Sequence, residues 1–171
     1  MKKPLTYFFR TYGCQMTELD TESMVGILQK RGLKEAAEET ADLVIFNTCS
    51  IRDLAERKVM GKLGQMGRKK KERIIGVTGC MAMAKKSSLF RKFPHLDFVL
   101  GTNNISDLDA VLDELLTSKK QVFRTEDRFE ENLDYFVAER KDPIKAHVSM
   151  IRGCDKFCTY CVVPYTRGQE V

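Results

Sequence analysis

The sequence predicts an α/β fold: a parallel sheet flanked by helices, followed by the beginning of a second unit. Three observations carry this. Apolar, β-rich stretches alternate with helix-periodic stretches through the first two-thirds of the 171 residues. Three of the six cysteines each lie just past one of those apolar stretches. The pattern dissolves near residue 119, and a new alternating stretch starts near 144. Strands alternating with helices imply a parallel sheet with helices on its faces, in the flavodoxin or Rossmann manner.

"TYFFRTYG" (6–13) is aromatic and β-branched, ends in glycine and reads as a strand. Thr17 and Asp20 suggest a capping box for a helix with Met24, Ile27 and Leu28 on one face, closed by Gly32. "LVIFNT" (43–48) is a short apolar strand, and Ser50 with Asp53 suggests the next capping box. The helix after it carries Ala55, Val59, Leu63 and Met66 at helical spacing. "RIIGVTG" (73–79) is the third strand, followed by a short Met-rich helix that ends before Pro94. "FVLG" (98–101) is the fourth, and Leu108, Val111, Leu112 and Leu115 mark the last helix. Residues 1–118 therefore read as one domain. Residues 119–143 are charged, closed by a proline and read as a linker with a short strand at "QVFR". Residues 144–171 open a second unit, with a strand over 146–151.

Composition bounds the function. Hydrophobic residues are 43% and charged residues 31%, the balance of a soluble globular protein. No apolar run approaches the ~20 residues of a membrane span. The N-terminus lacks the apolar core and cleavage site of a signal peptide. A cytoplasmic location is expected, where cysteines serve metals or catalysis more than disulfides. The net charge of +5 permits nucleic-acid binding without requiring it. The basic run "GRKKKER" (67–73) reads first as a solvated helix end whose cations complement the helix dipole. A phosphate-contacting patch is the alternative.

Cys14, Cys49 and Cys80 each follow the C-terminal end of an expected strand, where open parallel sheets bind ligands. A strand order beginning 2-1-3 makes these three strands neighbours, ~4.8 Å apart. Gly13 and Gly79 are expected to leave room there for a bulky inorganic group. Simple packing of buried cysteines is the competing reading, and position alone leaves both open. Cys154, Cys158 and Cys161 form C-x3-C-x2-C directly after the strand expected over 146–151. A structural zinc site needs a fourth ligand, for which only His147 is near. The spacing also differs from the bacterial ferredoxin run. A four-iron cluster on three cysteines keeps one iron free for a ligand from outside the protein.

The motif "CDKFCTYC" resembles the cluster loop of the radical S-adenosylmethionine enzymes. Together with "TYGCQM", "NTCSIRDLAERKVMGKLGQ", "VTGCMA" and "RGCDKFCTYCVVPYTRG", the chain resembles the MiaB branch of the methylthiotransferases over nearly its whole length. Thr17 is one departure, since this branch usually has asparagine there.

The resemblance implies two [4Fe–4S] clusters and S-adenosyl-L-methionine as cofactors. Cys154, Cys158 and Cys161 hold the cluster whose free iron chelates S-adenosylmethionine, and the backbone of Tyr160 lies beside its adenine. Cys14, Cys49 and Cys80 hold an auxiliary cluster that delivers sulfur. The implied reaction converts N6-isopentenyladenosine beside the tRNA anticodon to its 2-methylthio derivative by radical C–H activation, sulfur insertion and methylation. The implied partners are the isopentenylated tRNA and a flavodoxin- or ferredoxin-like electron donor, with the enzyme a monomer. On this reading residues 144–171 are the first strand and cluster loop of an incomplete β/α barrel, and the chain is an N-terminal fragment, inactive alone. The alternatives are the sister branches acting on threonylcarbamoyl-adenosine in tRNA or on a ribosomal protein. Outside the family stand a non-catalytic iron–sulfur or zinc module that binds RNA and a small electron carrier.

Overall fold

A computed structural model of the chain describes residues 5–51, 53–67, 70, 72–126 and 142–171. Six parallel strands form one sheet: β1 (Thr6–Tyr12), β2 (Lys34–Glu35), β3 (Leu43–Thr48), β4 (Ile74–Thr78), β5 (Phe98–Leu100) and β6 (Val122–Arg124). Their order is β2-β1-β3-β4-β5-β6. The chain winds outward in one direction from β1 to β2 and in the other from β3 onward. The direction therefore reverses between β1 and β3, the crevice where sheets of this kind bind ligands.

Helices cover both faces. α1 (Gln15–Lys30) and α5 (Leu108–Ser118) bury Met24, Leu28, Leu108, Val111, Leu112 and Leu115 against Tyr7, Ile45 and Phe98 on one face. α2 (Asp53–Gly67), α3 (Cys80–Lys85) and α4 (Ser88–Lys92) bury Val59, Leu63, Met81 and Leu89 against Val44, Phe46 and Val77 on the other. All six residues of β3 are buried, as expected of a strand with helices on both sides. Val122 of β6 joins the first of these clusters, so the short strand foreseen at "QVFR" completes the sheet.

Several expectations need correction. The three cysteine-bearing strands are neighbours, but β3 is their middle member, not β1. The reason is β2, a two-residue exposed strand with no apolar signature, which takes the outer place beside β1. The first capping box is not formed. Cys14 is the N-cap of α1 without a side-chain cap bond, and Asp20 is turned to another use. Ser50 Oγ is buried with no hydrogen-bond partner among the described residues, so it does not cap α2. The Met-rich helix is two helices, divided where Lys86 takes a positive φ of 48°.

The basic run is not simply a solvated helix end. Lys70 Nζ donates to Asp97 Oδ1 at 2.7 Å and to the His95 carbonyl at 2.6 Å. Arg73 donates to the Glu38 carbonyl at 3.0 Å. Lys69 and Lys71 lie outside the described residues, as does most of the expected linker, 127–141.

The strand expected over 146–151 is absent: these residues belong to no ladder, and Val148, Met150 and Ile151 are exposed. Alternation alone does not make a strand, because its backbone groups need a partner to pair with. The one regular element after residue 142 is α6 (Val163–Arg167).

Candidate functional site

Register places the first three cysteines together. Tyr12 of β1 is level with Thr48 of β3, and Asn47 of β3 with Thr78 of β4. Continuing those ladders puts Gly13 beside Cys49 and Cys49 beside Cys80, with Cys14 one residue beyond. Cys49 and Cys80 are buried, and Cys14 is half-buried.

The glycines before Cys14 and Cys80 serve this convergence differently from what the sequence suggested. A Cβ on Gly13 would lie 2.4 Å from Thr17 Oγ1 and 2.9 Å from Cys49 Cβ. A Cβ on Gly79, whose φ is +91°, would lie 2.5 Å from Asn47 Oδ1 and 2.8 Å from the Thr48 carbonyl oxygen. The space is filled by protein, so these glycines let the strand ends and α1 close in on one another instead of leaving a vacancy. Asn47 fastens the junction, donating from Nδ2 to the Thr17 carbonyl and to Thr21 Oγ1, both at 2.9 Å.

A hydrogen bond between Cys49 and Cys80 pushes Cys49 well above the ordinary thiol range and lowers Cys80 to about 6. The positive charge of Arg167 and the Thr166 side chain help to lower Cys80. Burial works against the Cys14 thiolate, but hydrogen bonds from Thr17 and Met16 and the Arg167 charge outweigh it and lower its pKa. The Thr17 hydroxyl is 3.6 Å from Cys14 Sγ. Threonine, the one departure from the family wording, thus supports the cysteine.

The second cysteine loop is docked beside the first three. Its base is closed where Arg152 and Val171 exchange backbone hydrogen bonds of 3.0 and 2.8 Å, and where the Cys154 N–H donates to the Gly168 carbonyl at 3.1 Å. Gly153 has a φ of +77°, and a Cβ there would fall 1.8 Å from the Gln169 carbonyl oxygen. Glycine is therefore required for the two arms to touch.

Both arms then enter the first domain. Arg167 Nη2 donates to Asp20 Oδ2 at 2.8 Å, with all three of Asp20, Arg152 and Arg167 buried. Arg152 Nη2 lies 3.8 Å from the other Asp20 oxygen and donates to the Thr102 carbonyl. The Thr102 hydroxyl donates to the Thr166 carbonyl at 2.5 Å. Within the loop, Cys158 and Tyr160 are exposed, and Cys154 and Cys161 are half-buried. His147, the alternative zinc ligand, has Nε2 3.2 Å from Glu18 Oε2.

All six cysteines are free thiols. Among the described residues, no group of three or more His, Cys, Asp or Glu side chains converges as a site for a single metal ion. A polynuclear cluster makes a different demand, since its ligands surround an object larger than one ion. For that, the donor chemistry fits: three free thiols at the ends of adjacent strands, with the buried Arg167 guanidinium nearby.

Sequence reasoning missed Asp20, Asn47, Thr102, Arg152 and Arg167. The signal available was the repeated Arg-Gly pair, "RGC" and "TRG", flanking the second triplet.

Residues 6–101 match the family described as "Uncharacterized protein family UPF0004". Full-length curated relatives are also similar. A protein of Protochlamydia amoebophila named tRNA-2-methylthio-N(6)-dimethylallyladenosine synthase is 68% identical, covering 100% of this chain and 38% of its own length. Proteins of the same name from Dictyoglomus thermophilum and Carboxydothermus hydrogenoformans are 43% and 39% identical. Each covers 96% of this chain, which spans 38% and 39% of their respective lengths. The chain thus spans well under half the length of these relatives.

Proposed function

This chain belongs to the UPF0004 family, and on that premise we propose that it forms the sulfur-handling part of a tRNA methylthiotransferase. The whole protein would convert N6-isopentenyladenosine in tRNA to its 2-methylthio form, as the relatives' names say of those proteins. The carrying observation is the site itself. Cys14, Cys49 and Cys80 lie at adjacent strand ends, and a second cysteine triplet is clasped onto the same sheet edge by Arg152 and Arg167.

In this reading Cys14, Cys49 and Cys80 hold one [4Fe–4S] cluster and Cys154, Cys158 and Cys161 the other, with Tyr160 beside S-adenosylmethionine. When bound, these groups supply electrons for cleaving S-adenosylmethionine and an open iron for sulfur. The protein's own contribution is placement. Parallel strand ends fix Cys49 and Cys80 at one level with Cys14 one residue beyond, and helices on both faces keep water from the sheet beneath them. Thr17 and Met16 donate to Cys14, lowering the cost of a half-buried thiolate. The arms of the second loop tie its cysteines to the same edge, which favours transfer between two centres over transfer through solvent. Residues 1–118, completed by β6 from the segment 119–143, are then the auxiliary-cluster domain, the rest of that segment is a linker, and 144–171 are the start of the S-adenosylmethionine barrel. The protein works in the cytoplasm as a monomer, with a flavodoxin- or ferredoxin-like donor.

The test uses the longer protein that carries this chain, loaded anaerobically with iron and sulfide and given dithionite, S-adenosylmethionine and isopentenylated tRNA. Mass spectrometry of the digested tRNA is expected to show the 2-methylthio nucleoside. Cys80→Ala should abolish it while 5′-deoxyadenosine still forms, because the second triplet is intact. Methylthiolation that survives Cys80→Ala would overturn the assignment of the first triplet. The 171-residue chain alone is expected to form neither product.

A further inference from the structure

Asp20, Arg152 and Arg167 form a buried charge cluster that belongs to neither cysteine triplet and touches both regions. Arg167 is the telling member. Its side chain is 7% exposed, its Nη2 donates to Asp20, and its Nη1 is buried with no hydrogen-bond partner among the described residues. A buried guanidinium N–H without an acceptor is costly, and it calls for an acceptor from water, an ion or a ligand. Asp20 does not spend its charge on Arg167 alone, since its other oxygen faces Arg152. The Arg167 charge is felt by Cys80 and Cys14 as well as by Asp20, and it also repels the neighbouring Arg152. α6, which carries Arg167, packs on α3, whose first residue is Cys80. The residue before it, Thr166, also reaches the Cys80 thiol. A built anion site is the simplest account: cysteine sulfurs at the strand ends on one side, a held guanidinium with a spare donor on the other.

We propose that Arg167, oriented by Asp20, is a positioning residue for the anionic group on Cys14, Cys49 and Cys80, donating its spare Nη1–H to that group's sulfur. This rests on the reading of the first triplet as a cluster site. It also gives the second loop a function beyond its own cysteines, because the arm that closes that loop would set the charge balance of the neighbouring centre. Three thiolates around one centre repel each other, and a fixed cation at close range favours both their assembly and the more reduced, more negative state of what they hold. Asp20 keeps the guanidinium from swinging to solvent and fixes which edge faces the sulfurs.

The test removes the second centre first. The 171-residue chain with Cys154→Ala, Cys158→Ala and Cys161→Ala is reconstituted anaerobically, and the midpoint potential and EPR spectrum of the remaining cluster are read. Adding Arg167→Gln should disfavour reduction about tenfold, a negative shift of about 59 mV for a one-electron couple. Arg167→Lys should recover part of that shift, because it restores the charge without the fork of donors. Asp20→Asn should change the EPR line shape while iron is still bound, since the guanidinium is retained but no longer aimed. A merely structural role would lower iron loading in all three variants and leave the potential of the loaded fraction alone, which would overturn the proposal. If the background chain takes up no iron, the cluster reading fails, and this proposal with it. Normal loading with a potential unmoved by Arg167→Gln defeats this proposal alone.

Discussion

Gly79 and His95 show how single positions are constrained around this sheet. Gly79 combines a positive φ with a Cβ direction blocked by Asn47 Oδ1 and the Thr48 carbonyl. Gly79→Ala is therefore expected to cost about 1–3 kcal/mol, a strained backbone plus displacement of the strand end. Urea unfolding with an unchanged midpoint would contradict that. His95 packs edge-on against Phe93 and close beneath Gly67. Burial lowers its pKa below the ordinary 6.5, and the nearby Lys70 charge adds to the effect. The unfolded chain therefore takes up its proton first as the pH falls. The stability that His95 contributes is complete above about pH 6.5 and is lost as the pH drops through its lowered folded value. Urea midpoints between pH 5 and 7.5 should show this slope, and His95→Gln should flatten it. An equal slope in the variant would assign the effect to other groups.

Lys70 matters at the scale of elements. It leaves the α2–β4 connection to reach Asp97 and the His95 carbonyl just before β5, while Asp97 Oδ2 accepts from the Ile75 N–H at 2.8 Å. Lys70→Ala is expected to cost about 1–2 kcal/mol, between the ranges for exposed and buried ion pairs, because the Asp97 side chain is 13% exposed. A change within about 0.5 kcal/mol would return this run to the status of a solvated helix end. The four long or strongly apolar strands and the helices between them were legible because burial on one or both faces writes a period into the chain. β2 was not, since two exposed residues write none. Asp20 was misread as a cap because its partner, Arg167, lies 147 residues away. The strand over 146–151 was misread because alternation is a property of one segment and pairing a property of two. The convergence of Cys14, Cys49 and Cys80 was legible by position, whereas the Arg152 and Arg167 clasp depends on how two distant segments fold onto each other.

At the scale of the molecule, the contacts joining the sheet and the second loop among the described residues are a few buried polar ones and not a broad apolar seam. Asp20, Thr102 and Thr166 are each at most 1% exposed. Several apolar side chains of the C-terminal segment, Ile144, Val148, Met150 and Ile151, remain outside that junction. The clasp therefore fixes the position of the second triplet, and on the proposed reading each triplet holds its own cluster on this common edge. Iron and acid-labile sulfide counted after anaerobic reconstitution, with Mössbauer spectra, test it most directly. The chain should carry two clusters, and Cys14→Ala with Cys49→Ala and Cys80→Ala should remove one and leave the other's spectrum unchanged. The matching replacement of Cys154, Cys158 and Cys161 should leave only the first. Iron that is lost entirely on removing one triplet, or a stoichiometric zinc ion in place of iron, would contradict the account.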